Sequence, residues 1–450
     1  MGKAFVIDLD RSLDLRSVQR RSVNPVFKLI ALSELNNVHR TPPGERGLMS
    51  VLVQNLAVRA ARHERVTAVL TGEVYRDLAG VEPVWRALEA DPAILATPYQ
   101  RFAWISAFVE AEVGPGSSAR QAALRIVVLR DGAGRPRVLL PLAVSPGPVR
   151  VARVIGGSHA NYHMPLFACR EAAMAAPEDM LDALARTGRT AGIDAYDLGH
   201  QPRSWDGVAN PFAATGLPCA SDAYGMLLGP DPEATRKRAF SADARKKLRS
   251  KERRLVDAHG PVEHRVATSP EAVEGILQAF YAQKAARFAA MGVADPYAEP
   301  AIRRFVALAS ARNGSDPAVE VHALVARDSG RIFATFGGAV DVHRFSGMWT
   351  SFDGDADVSR SSPGDLLLHH LVGQQTAAGR RAFDLGVGEA RYKANTCDET
   401  IALVRTVVPV TLRGHVFAQA AAVSARAKRR IKRSPRLWAM VGRLRRMRAR

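Results

Sequence analysis

The chain has 450 residues, of which 47% are hydrophobic, enough for a large core and two domains with extensions. No run of about 18 uninterrupted apolar residues occurs, so no membrane span is predicted, and the N-terminal MGKAFVIDLDRSLDLRS carries acids where an export signal needs a clean apolar core. The net charge of +19 is local: 12 Lys or Arg and no acid between Arg426 and Arg450, and ten bases against Asp243 and Glu252 in residues 236–254. A nucleic-acid-binding core would spread its basic residues over a folded face, so that class of partner is not expected beyond the tRNA reading below. Cys169, Cys219 and Cys397 lie far apart in no metal-ligand spacing, which points to reduced thiols, a cytoplasmic setting and no metal site.

In chain order, residues 1–75 show turn clusters such as HRTPPGERG and no sustained period, and read as a poorly structured extension. Helical spacing begins at VEPVWRALEA and continues in RFAWISAFVEA after a TPYQ turn. Two segments then repeat one plan. LRIVVLRDGAGRPRVLLPLAV and VHALVARDSGRIFATFGGAV are both β-rich runs joined by a Gly-containing turn. Residues 177–199 and 363–386 both read as Pro at a helix start, an acid in the first turn, apolar positions at helical spacing, and a strand ending Asp-Leu-Gly. The predicted fold is α/β, two related domains at 76–220 and 221–415, followed by a basic tail at 416–450.

The copies differ around the second helix and strand. DVSRSSPGD precedes the second helix and VGEARYK follows its strand, whereas the first copy has CREAAMAAPED and HQPRSW. The site is therefore expected in the second domain, the first supporting it. Unpaired N–H groups at a helix start attract phosphate. Arg360 adds charge there, Ser361 and Ser362 add hydroxyl donors, and Gly364 allows close approach; a plain Ser/Pro helix start explains the same residues.

The order hairpin, strand, Arg-bearing loop, helix, strand resembles the acyl-CoA-binding core of GNAT acyltransferases. Arg360 to Asp365 matches that family's phosphate loop in part, with Pro363 where a glycine is usual and Asp365 where a small residue is usual. SPGDLLLHHL and AFDLGVGEARYK also resemble the acetyltransferase domain of the CelD/BcsL family associated with cellulose biosynthesis, as does the basic ADARKKLRSKERRL upstream. These proteins are similar in architecture to the FemABX aminoacyl transferases, so the resemblance implies tandem GNAT-like domains, each a mixed sheet flanked by helices. It implies acetyl-CoA, or another acyl-CoA, as co-substrate, held by Arg360, Ser361, Ser362, Gly364, Asp365 and Lys393, without a metal. Gly386 and Gly388 would let a ligand approach the strand. Tyr392 would protonate the departing thiolate, and Lys393 would bind phosphate or an acidic acceptor. Asp384 either meets the acceptor or caps backbone amides, as Asp197 does in the other repeat.

A general base is needed within hydrogen-bond reach of the acceptor, and Asp353, Asp355, His343 and Glu389 are the candidates. Tyr162 and His163 either line an acceptor cleft between the repeats or form a turn. The implied acceptor is a small molecule or glycan, such as a sugar or polysaccharide precursor. Alternatives are a FemABX-like transferase using aminoacyl-tRNA and a non-catalytic polysaccharide-assembly factor. Within the tail, Leu437, Trp438, Val441 and Leu444 fall among arginines, so residues 426–450 read as a basic amphipathic segment for an anionic membrane surface.

Overall fold

The structure is a computed structural model and describes residues 70–434 apart from 114–122, 312–316, 391–392 and 394–395. Most of the expected N-terminal extension, Tyr392, and the tail from residue 435 lie outside the described residues.

Nine strands come from the first half: β1 (Thr71–Tyr75), β2 (Ala123–Arg130), β3 (Pro136–Val144), β4 (Val151–Val154), β5 (Leu166–Phe167), β6 (Ala195–Pro202), β7 (Ser204–Trp205), β8 (Val208–Ala209) and β9 (Leu217–Pro218). Eight follow: β10 (Ala223–Leu227), β11 (Val262–Val266), β12 (Val319–Ala326), β13 (Ile332–Val340), β14 (Arg344–Phe352), β15 (Ala382–Val387), β16 (Glu399–Ile401) and β17 (Leu403–Pro409). The first sheet runs β1-β2-β3-β4-β6-β17-β9, with β5 paired to β3. The second runs β11-β12-β13-β14-β15-β10-β16.

Both sheets carry the repeated plan. An antiparallel hairpin leads to a further strand, a helix crosses, and the next strand returns parallel: β4 to β6 in the first sheet and β14 to β15 in the second. The crossing helices are Pro177–Ala191 and Pro363–Ala377, each with proline in its first turn. Their surroundings differ. The first buries one face, through Met180, Ala183, Leu184 and Thr187. The second buries Leu366, Leu367, Leu368, Leu371 and Val372 together, because the helices Pro232–Ala239 and Ala242–His259 pack over it.

One strand crosses the boundary between the sheet units expected at 76–220 and 221–415. β10 enters the second sheet between β15 and β16, while β17 returns to the first sheet and pairs with β6 and β9. Leu403–Pro409, read from sequence as part of the second domain, therefore completes the first. The strand at Thr71–Tyr75 also begins the first sheet earlier than expected, by pairing with β2. One apolar cluster runs through both units, from Leu70 to Val410. Its centre joins Trp104 and Phe108 to Phe305, with ring centroids 4.9 and 5.0 Å from Phe305.

After β17 the chain forms the helix Leu412–Arg433, capped by Thr411 and lying against β6 and β17 with Gly414 and Ala421 buried. The described part of the expected basic tail is thus docked helix. No helix of the described residues is long and apolar enough to cross a membrane.

Candidate active site

β14 and β15 pair over only three residues: Arg344 with Ala382, Phe345 with Phe383, and Ser346 with Asp384. A bulge against β13 follows at once, with Gly338 opposite Gly347 and Gly337 opposite Trp349, so Met348 is the extra residue. A bulge bends its strand. Beyond Ser346 the two strands therefore diverge, and a notch opens toward the carboxyl ends of both. In open α/β sheets that end is where ligands bind.

A side chain from the first half fills the notch. Asn161 Nδ2 donates to the Gly347 carbonyl oxygen at 2.9 Å, and Asn161 Oδ1 accepts from Val387 N–H at 3.3 Å. The carboxamide thus supplies the rung that the diverging backbones cannot make. Its nitrogen also donates to the Tyr99 hydroxyl oxygen at 2.6 Å, and Tyr99 in turn lies 2.9 Å from Ser346 Oγ. Gly386 sits beneath the carboxamide at φ 72°, and a Cβ there would lie 2.7 Å from Asn161. The glycine predicted to admit a ligand instead admits Asn161. Gly388, at φ 109°, faces open space.

Asp384 lies under the same network and is fully buried. Its Oδ1 accepts from Ser346 Oγ at 2.7 Å and from Gly386 N–H at 3.1 Å, and Arg344 Nη1 stands 3.6 Å from its Oδ2. Arg344 itself lies over Trp205, 4.1 Å from the ring, and reaches Asp206 at 3.3 Å. Burial raises the Asp384 carboxyl to about 6, although Arg344, Ser346 and the Gly386 amide pull it down. Asp197, at the matching place in the first sheet, is paired with Arg153 at 3.0 Å and with Arg405 at 2.6 Å. Asp384 thus caps a backbone amide and lies where the two halves meet.

The phosphate-loop residues divide. The helix start at Pro363 is preceded by a short turn, Ala356–Ser359, and by Ser362 in the left-handed region at φ 46°. The N–H groups of Ser361, Ser362 and Asp365 already reach local carbonyl oxygens at 2.9–3.0 Å. Ser361 is fully buried, which removes it as a phosphate donor. Ser362 Oγ accepts from Lys251 at 2.8 Å, Asp365 pairs with Lys251 at 3.5 Å, and Arg254 donates to the Arg360 carbonyl oxygen at 3.3 Å. Arg360 is exposed, with its Nε on the Ala356 carbonyl oxygen at 2.8 Å, and Gly364 adjoins it at the helix start. The positive charge at this helix start therefore includes Lys251 and Arg254 from the basic helix Ala242–His259. Lys393 is buried instead, donating to the Gly386 and Val387 carbonyl oxygens at 3.1 and 3.2 Å. Its ammonium is thus held at the strand end.

The four base candidates fall in different places. Asp353 and Asp355 both pair with Arg331, at 2.7 and 2.6 Å. Asp353 is also seven residues along from Ser346, roughly 23 Å at the usual strand rise, so it does not share a centre with Asp384. His343 precedes β14 at the other end of the pair, with the Arg381 guanidinium against its ring at 2.7 Å. Glu389 follows β15 at the carboxyl end and lines a cavity of about 230 Å³ with Cys219, Ser221, Asp222 and Arg429. The linker between the halves forms one wall, held where Gly388 N–H donates to the Asp222 carbonyl oxygen at 3.0 Å. Tyr162 and His163 line no open cleft. Tyr162 is fully buried against Trp205 and Tyr99, and His163 is buried beside His200 with its pKa lowered to about 4, by desolvation first. Among the described residues no group of His, Cys, Asp and Glu could hold a metal ion.

Residues 242–394 match the family model for an acetyltransferase (GNAT) domain. This segment carries β11 to β15, the helix Pro363–Ala377 and the basic helix Ala242–His259. It is less than half of the chain. No curated protein matches the chain. Among solved structures, FemX is similar at 9% identity over 77% of this chain and 99% of its own, with a TM-score of 0.49. A conserved protein of unknown function from Bacteroides thetaiotaomicron is similar at 10% identity over 75% of this chain and 99% of its own, with a TM-score of 0.47. N-myristoyltransferase of Saccharomyces cerevisiae, solved with bound myristoyl-CoA, is similar at 10% identity over 75% of this chain and 79% of its own, with a TM-score of 0.37. None of these scores is high enough to carry an activity to this chain.

Gly386→Ala combines a left-handed backbone with contact against Asn161 and is expected to destabilise by about 2 kcal/mol or more. Adding Asn161→Gly removes the contact and leaves the backbone cost, so urea unfolding of the double variant should show a smaller loss than the two single losses summed. Asp384 has a second signature. Its folded pKa stands above the unfolded value of about 4, so its contribution is fully present below about pH 4 and is lost as pH rises through about 6. Unfolding free energies of wild type and Asp384→Asn, compared from pH 4 to pH 7, should diverge toward acid in favour of wild type by up to roughly 3 kcal/mol. A constant difference would mean that the carboxyl titrates normally.

Proposed function

We propose that the protein is an acyl-CoA-dependent acyltransferase of the GNAT type, moving an acetyl group to an amine or hydroxyl of a sugar, polysaccharide precursor or similar small acceptor. One coincidence carries this reading. The segment that matches the acetyltransferase domain contains a parallel strand pair that diverges beside a helix start bearing Lys251, Arg254 and Arg360. Those three side chains suit a diphosphate. The backbone N–H groups contribute less than in a phosphate-binding loop, since three of them are spent on local turns.

When bound, the thioester supplies the activated acyl group. The chain's own residues then have two tasks. One is to hold the acceptor beside the carboxyl end of β15, where the Glu389 and Asp222 cavity accommodates a polar group bearing hydroxyls or an amine. The other is proton movement: Glu389 takes the proton from the attacking nitrogen or oxygen, the new bond forms to the acyl carbon, and the carbon–sulfur bond breaks. The resemblance to CelD/BcsL proteins assigns protonation of the thiolate to Tyr392 and favours a glycan precursor as acceptor.

An aminoacyl-tRNA-dependent transfer is the second reading. It is favoured by the way phosphates here would meet the basic helix Ala242–His259 in place of a backbone cradle.

Calorimetric titration of acetyl-CoA into the full chain tests the first reading. The full chain is required, because the helix after Thr411 is part of the first unit. Micromolar binding is expected, and Arg360→Glu should weaken it at least tenfold. No binding to folded wild-type protein would overturn the CoA reading. With an acceptor in hand, Glu389→Gln is expected to lower kcat by about 10²–10⁴ with acetyl-CoA binding unchanged.

A further inference from the structure

The helix Leu412–Arg433 has an outer face that neither sheet covers. Among the described residues nine large apolar side chains are exposed, and three of them lie on this helix: Leu412 at 85%, Val416 at 73% and Val423 at 63%. They are not scattered. At 100° per residue they fall within about 40° of one another, with Gln419 and Ala427 between and beyond them on the same face. Gly414 and Ala421 point the other way, into the protein, and Phe417, half-buried on that side, takes the Arg153 guanidinium at 5.7 Å from its ring. The apolar line is therefore a feature of the docked helix and not a loose end.

Charge runs along the same surface. The helix contains Arg413, Arg426, Lys428, Arg429, Arg430, Lys432 and Arg433 and no Asp or Glu. Arg430 falls in line with Leu412, and Arg413 and Arg426 flank the line. At the C-terminal end Arg426, Arg429, Arg430 and Ser434 line a shallow groove of about 450 Å³. A surface with valines and leucine standing out beside Arg413, Arg426 and Arg430 lowers its free energy against a partner that is both apolar and anionic. The headgroup boundary of a bilayer rich in acidic lipid offers both, burying the side chains while phosphates face the arginines. A second copy of the helix offers the apolar part only and brings like charge against like charge. A nucleic acid offers the phosphates and nothing to bury Val416 or Val423.

We propose that the outer face of Leu412–Arg433 docks the protein on an anionic membrane surface, with Leu412, Val416 and Val423 entering the interface and Arg413, Arg426 and Arg430 contacting lipid phosphates. The protein lies on the bilayer and does not cross it. Since β17 completes the first sheet and this helix lies against it, the surface is carried by the first unit, and Arg429 of the same helix lines the cavity beside Glu389.

Sedimentation of the full chain with lipid vesicles tests this. Vesicles of phosphatidylglycerol and phosphatidylcholine at 1:3 are expected to bind the protein at about 0.1 M salt, and pure phosphatidylcholine vesicles to bind it at least tenfold more weakly. Val416→Asp with Val423→Asp should lower the anionic-vesicle affinity tenfold or more. Arg426→Glu with Arg430→Glu should do the same and flatten the salt dependence. All four positions are exposed, so thermal melting and acetyl-CoA binding should match wild type, which separates this result from the fate of the acyltransferase reading. Absence of binding to anionic vesicles would overturn the proposal. So would binding that the valine substitutions leave unchanged, since that would place the contact on the remaining basic residues. A tRNA-sized RNA bound more tightly than vesicles, with no effect of the valine substitutions, would assign the face to nucleic acid instead.

Discussion

Three residue pairs of parallel strand are all that join β14 to β15, and the arrangement of the second half follows from where that pairing stops. Past Ser346 and Asp384 the strands separate, and each leaves backbone polar groups that would otherwise be buried without partners, a cost of about 1–3 kcal/mol apiece. The carboxamide of Asn161 meets one on each side. A peptide-like group is what such a gap requires, and here it comes from the other half of the molecule. The two halves are thus joined at the point where the sheet opens.

That junction sets the chemistry of its surroundings. Tyr99, Tyr162 and Trp205 from the first half cover Arg344, Ser346 and Asp384 from the second, so the carboxylate is removed from water and its pKa rises toward neutrality. At the carboxyl end of β15 the linker leaves a cavity beside Glu389. The basic helix start at Pro363 lies at the same end of the sheet, beyond β14. The return of β17 to the first sheet makes the two units hard to separate, because the first sheet takes a strand from the chain that follows the second.

Much of the repeat was legible. Residues 177–199 and 363–386 share Pro, an acid, apolar spacing and Asp-Leu-Gly, and both form a helix and a returning parallel strand. The positions of Arg360 at a helix start and of Glu389 after a strand end were also legible, since both follow from local signals. The burial of Lys393, Ser361 and Asp384 was not legible, for the opposite reason. A lysine, a serine and a carboxylate look available in sequence, and their burial depends on what packs above them. Asn161 gave no signal at all, because it sits in a turn with no period and acts on strands more than 180 residues away.

The sequence by itself determined the elements and their repetition: hydrophobic period, proline starts and glycine turns act over a few residues and need no partner. It also determined the segregation of charge into two basic stretches. Only the tertiary structure decided which strands complete which sheet, which polar residues lose their water, and which face of Leu412–Arg433 remains uncovered. Those outcomes depend on contacts between residues far apart in the chain, and burial, unlike periodicity, is a property of the neighbours that arrive.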